Sequence, residues 1–121
     1  MSNIEVGEYI RTEDGFLTKY IRDLVFNTIE VENDGKHHII AMTNIKNHSK
    51  NIIDLIEIGD YVNGHLVINI ETDKNNKRIT ITENKYFDKY YEDGIAKIET
   101  IVTKEMFKEM EYRVDEWRRN N

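Results

Sequence analysis

The chain has 121 residues, 39% apolar and 33% charged, with a net charge of −6, a balance typical of globular proteins and not of disordered tails. Acids outnumber bases 23 to 17, which argues against sequence-independent binding to nucleic acid, since that needs clustered Lys and Arg. There is no Cys and no apolar run long enough to span a membrane, and MSNIEVGEYI lacks the basic and apolar regions of a signal peptide, so a cytoplasmic protein without disulfides is expected.

One phrase occurs twice. Residues 4–10 read IEVGEYI and residues 56–62 read IEIGDYV. The Tyr and β-branched residues favour strands, and Gly7 and Gly59 suit a bend or bulge. Each copy is followed by a turn signal, Asp14-Gly15 in the first and Asn63-Gly64 in the second. The reading is therefore a hairpin used twice, returning over Phe16 to Ile21 and over Leu66 to Ile70. A bent strand followed by a tight hairpin is how SH3-like small barrels begin. Val25 to Glu32 and Lys36 to Met42 read as strands around Asn33-Asp34-Gly35.

Ser49 is placed to cap a short helix over Lys50 to Ile56, with Ile52, Ile53 and Ile56 on one face. Asp73 to Asn76 is a polar turn, and Arg78 to Thr82 alternates like a half-buried strand. Tyr86 to Tyr91 is an aromatic patch, and Ile95 to Val102 reads as the last strand. Thr103 can cap a C-terminal helix over about 103–119, with Met106, Phe107, Met110 and Val114 as its apolar stripe, extended by Trp117. The class is a β-rich α+β fold: two related hairpin units, as SH3-like small barrels or one merged sheet, a short middle helix and a C-terminal α-helix. The chain reads as a single domain over 1–121, with pseudo-repeat halves of about 4–47 and 56–102.

No catalytic motif is present: no nucleophile elbow, phosphate loop or dinucleotide glycine pattern. Ser occurs only at 2 and 49, and the four His lack metal-ligand spacing. An enzyme, a cofactor and a metal site are therefore not expected. The most pocket-like stretch is Tyr86, Phe87, Tyr90 and Tyr91, whose rings could stack on a base. Arg113 and Arg118 on the last helix are candidate phosphate partners, because a guanidinium matches phosphate geometry. These six form the candidate ligand site. The structural alternative is that the rings close a core or interface and the arginines complement a helix terminus. Trp117 beside the apolar stripe points to a homo-oligomer.

Three strings resemble a family of small proteins carried by phages and prophages of low-GC Gram-positive bacteria: VGEYIRTEDG at 6–15, HSKNIIDLIEIGDYVNG at 48–64, and IVTKEMF at 101–107 with Tyr112-Arg113-Val114 after it. The middle, 25–45 and 72–97, diverges. The resemblance implies a protein that counters host defence in the bacterial cytosol. Its partner would be a signalling nucleotide, sequestered as anti-Thoeris proteins do, or a host defence protein, inhibited directly as anti-CRISPR proteins do with an acidic surface. A phage structural adaptor is a third reading. Nucleotide sequestration is the leading expectation, with no direct binding to nucleic acid or membrane.

Overall fold

The computed structural model describes residues 3–72, 74, 78–82, 86–88 and 98–109, at 78, 86–88 and 109 by their backbone. The described residues are β-rich, with two antiparallel sheets and one α-helical segment among them. The first sheet contains β1 (Tyr9–Thr12), β2 (Leu17–Asp23), β3 (Thr28–Asn33), β4 (Lys36–Ala41) and β5 (Ile45–Ser49), in the order β4-β3-β2-β1-β5. The second contains β6 (Tyr61–Val62), β7 (His65–Thr72), β8 (Arg78–Thr82), β9 (Tyr86–Asp88) and β10 (Ile101–Val102), in the order β10-β6-β7-β8-β9. The two orders are the same: four strands run in succession and a fifth returns to flank the first.

The likeness extends to single residues. Tyr9 pairs with Lys19 and Tyr61 with Leu66. One residue further along the return strand, Tyr20 N–H donates to Glu8 O at 3.0 Å and Val67 N–H to Asp60 O at 2.8 Å. The register then slips at matching places, between Tyr20 and Arg22 in one sheet and between Val67 and Asn69 in the other. Such bulges bend and twist a ladder locally.

The repeated phrase is chiefly a turn, and the strand begins only at its tyrosine. Glu8 N–H donates to Glu5 O and Asp60 N–H to Glu57 O, both at 3.1 Å. Gly7 and Gly59 have φ of 96° and 100°, as the third position of a type II turn requires. The closing acid then folds back: Glu5 N–H donates to Glu8 Oε2 at 2.5 Å, and Glu57 N–H to Asp60 Oδ2 at 2.7 Å. That explains why the phrase ends its turn in an acid both times.

Each sheet has its own buried apolar cluster. Ile4, Ile10, Ile29 and Val31 form one, with Tyr20, Ile40, Met42 and Ile45 packed on it. Ile53, Ile56, Val62 and Val67 form the other, with Ile70, Ile98 and Ile101.

Several elements differ from expectation. The middle helix is a single 3-10 turn, Ile52–Leu55, preceded by Asn51. Ser49 accepts from Asn51 N–H and donates to Asp54 Oδ2; with β-branched residues at its start, so short a segment gains little as an α-helix. Val25 to Asn27 are not strand but the tip of the β2–β3 hairpin, with Phe26 and Asn27 at φ of 60° and 57°. The strand Ile45–Ser49 was not expected, since IKNHS has no apolar alternation; β1 pairs with it from Tyr9–Ser49 to Thr12–Ile45. Of the last expected strand, 95–97 lie outside the described residues, Ile98 to Thr100 are not strand, and Ile101–Val102 are.

The helix α1 spans Lys104–Glu109. Thr103 Oγ1 accepts from Met106 N–H at 3.4 Å, the expected capping role, and donates to Gly15 O at 2.8 Å. Phe107 packs on Tyr61 with ring centroids 4.9 Å apart. Met110, Val114 and Trp117 lie outside the described residues.

Candidate functional site

Among the described residues, a dense cluster of charge lies at the junction of the two sheets, with Arg11 and Asp60 at its buried centre. Successive strand residues face opposite sides, so Ile10 enters the first apolar cluster while Arg11 points the other way, toward the second unit. Both are 0% exposed. Arg11 Nη1 donates to Leu55 O at 2.9 Å and to Asp60 Oδ2 at 2.5 Å, and Nη2 to Asp60 Oδ1 at 2.9 Å. Nη2 also reaches Glu105 Oε1 and Oε2, at 2.8 and 2.9 Å. The turn of the second repeat supplies Asp60, and α1 supplies Glu105.

The carboxylates are themselves anchored. Asp60, 0% exposed, also accepts from Glu57 N–H and from Lys104 N–H at 2.9 Å. Glu57 Oε1 pairs with Lys46 at 2.9 Å and Lys104 at 2.8 Å, and its Oε2 lies 3.4 Å from Arg11 Nε. Three carboxylates (Glu57, Asp60, Glu105) thus meet three cations (Arg11, Lys46, Lys104). Burial opposes the Arg11 charge, but the bonds from Asp60 and Glu105 outweigh it and hold the guanidinium protonated more firmly than usual. Burial also pushes the Glu57 carboxyl up, yet Lys104 and Lys46 bring it below the ordinary range. Arg11 Nε has no hydrogen-bond partner. The cluster clasps the two units together: Arg11 and Asp60 at its centre are held by each other, by Glu105 and by main-chain groups.

Two clefts open on the first sheet. One, of about 210 Å³, lies between the β1–β2 ladder, the end of β3 and the 3-10 turn, with Tyr9, Lys19, Glu32, Asn33, Asp34 and Ile52 in its wall. Lys19 Nζ sits 5.2 Å from the Tyr9 ring centroid, within cation–π range. Thr18 Oγ1 donates to Glu32 O and Asn33 Nδ2 to Leu17 O, fixing that wall. The second cleft, of about 320 Å³, is lined by Arg22, Leu24, Glu30, His37, His38 and Ile39. Glu30 accepts from Arg22 Nε at 2.7 Å and lies 2.6 Å from His37 Nδ1. His37, then Arg22, holds the Glu30 carboxyl below its usual range.

Of the expected ligand residues, Tyr86 and Phe87 lie on β9, the edge strand of the second sheet, with Phe87 paired to Thr80. Tyr90, Tyr91, Arg113 and Arg118 lie outside the described residues. Neither the role of Arg11 nor the Tyr9 cleft is legible in the sequence. Tyr9 was visible in the repeat, but its neighbours Lys19 and Asn33 come from strands whose pairing alone brings them together.

No group of three or more His, Cys, Asp or Glu suited to a metal ion occurs among the described residues. Among them, no helix is long and apolar enough to cross a membrane. The chain matches no family model, no curated protein and no solved structure.

Proposed function

We propose that the protein is a non-enzymatic binding protein, built of two SH3-like units, that counters host defence in the bacterial cytosol by engaging a protein target directly. The observation that carries this reading is the cleft beside Tyr9. It offers an aromatic ring, one cation (Lys19) and two acids (Glu32 and Asp34) on a chain of net charge −6. Such a cleft favours a basic or neutral extended segment and disfavours phosphate. The chemically richer Arg11 cluster supports the same view, because its charges join the units. The test is capture of partners from host lysate by wild type and by the Glu32→Lys/Asp34→Lys variant. The expected result is a partner released by salt and lost on charge reversal. Capture indifferent to both would overturn the reading.

A second reading is sequestration of a nucleotide signal by Tyr86, Phe87, Tyr90, Tyr91, Arg113 and Arg118. It draws support from the start of the aromatic run on β9, whose outer edge is the end of the sheet order. A rise in melting temperature with one cyclic nucleotide or cyclic ADP-ribose isomer, abolished by Phe87→Ala and Arg113→Ala, would favour it.

A further inference from the structure

Phe26 is the most exposed large apolar side chain among the described residues, at 94%. It is also held in a conformation that a bulky residue avoids, φ 60°, with Asn27 at 57°. Neither feature serves the core. The tip is nevertheless fixed: Leu24 N–H donates to Thr28 O and Met42 N–H to Asn27 O, both at 2.9 Å, and Thr28 Oγ1 donates to Val25 O at 2.6 Å. Backbone strain of this kind clusters at functional sites, and a hydrogen-bonded turn that already presents an aromatic ring lowers the ordering cost of binding.

Directly beside this knob is the cleft of about 320 Å³ that Leu24 and Ile39 line. Val25 and Ile39 are 71% and 69% exposed. We propose that this face is the interface of a homodimer, with Phe26 of each copy seated against Leu24 and Ile39 of the other about a two-fold axis. Knob and hole adjoin on neighbouring strands of one sheet, so a single isologous contact fills both twice.

Charge supports a second copy as the occupant. The chain carries −6 overall, yet residues 24–28 hold no charge and the cleft is balanced, Arg22 and Glu30 being paired beside His37. This is where a second acidic chain meets little repulsion. Val25, Phe26 and Ile39, all largely exposed, offer on the order of 400 Å² per copy, so roughly 800 Å² for the pair before the cleft walls are counted, short of the ~1,200 Å² at which standard specific interfaces begin and in the range of weak encounters. The dimer is therefore weak and concentration-dependent. This inference does not rest on the proposed function.

The test is sedimentation equilibrium of the full chain over a wide concentration range. Wild type should move from monomer to dimer as concentration rises. Phe26→Gly suits the positive φ, so it should keep the melting temperature while raising the dimer dissociation constant tenfold or more. Ile39→Lys should do the same from the other side of the contact. A wild type that stays monomeric throughout, or a Phe26→Gly variant that dimerises like wild type, would overturn the proposal.

Discussion

Arg11 shows how far a single residue's environment departs from its sequence context. In YIRTED nothing local sets it apart from the polar residues around it. In the folded chain it is fully buried, because β1 has an apolar cluster on one side and the second unit on the other. Removing it would leave Asp60 buried without its bidentate partner, a change that costs about 3–5 kcal/mol in comparable pairs. Arg11→Met should therefore lower the unfolding free energy by that amount, read from urea denaturation. Arg11→Lys should recover little, since an ammonium cannot span Asp60 and Glu105 as the forked guanidinium does. An unchanged midpoint for Arg11→Met would show that the clasp does not hold the units together.

Among elements, the turns were the most legible and the short pairings the least. Asn63-Gly64 and Asp34-Gly35 were read as turns from local chemistry, and Asn63 and Asp34 do have positive φ. The strand Ile45–Ser49 and the pairing of Ile101–Val102 with β6 depend on partners distant in sequence, which no local pattern encodes. The β1–β2 loop adds a contact of this kind. A Cβ on Gly15 would lie 2.3 Å from Thr103 Oγ1 and 2.8 Å from Glu105 Cβ, whereas one on Gly7 would meet nothing within 4 Å. Both glycines have positive φ, so both substitutions carry backbone strain. Gly7→Ala should cost only that, about 1 kcal/mol. Gly15→Ala should cost some 1–3 kcal/mol more, through overpacking against the start of α1. Equal losses in the two variants would mean that the loop does not bear on the helix.

For the molecule as a whole, paired charge sets a window of stability. Glu8 is held below its ordinary range by the Glu5 N–H and then by His48, and Glu57 lies low for the reasons given above. A carboxyl whose folded value lies below its unfolded one adds stability above the unfolded value, about 4.3 for Glu, and loses it as pH falls through the folded value. Lys104 is raised, chiefly by Glu57. Its contribution is complete below the ordinary lysine value of about 10.4 and is lost as pH rises through the folded value. The melting temperature should thus fall as pH drops below about 4.3 and again as it rises above about 10.4. Glu57→Gln should shallow both limbs, since that carboxylate faces Lys46 and Lys104 together. A profile unchanged by Glu57→Gln would remove Glu57 from the account.

By itself the sequence determined the β-rich class, the duplicated hairpin start, the principal turns and the cap at Thr103. Each of these rests on residues within a few positions of one another: a Gly that tolerates positive φ, an acid that bonds back three residues, a hydroxyl at a helix start. Only the tertiary structure decided that the repeated acid at Asp60 receives Arg11 from the first unit, and that α1 closes the same cluster through Glu105. It also decided that Tyr9, Lys19 and Asn33 share one cleft and that Phe26 stands outside the core. The reason is the same in each case. These contacts join side chains far apart in the chain, and their energies come from burial and charge pairing that exist only once the strands have paired.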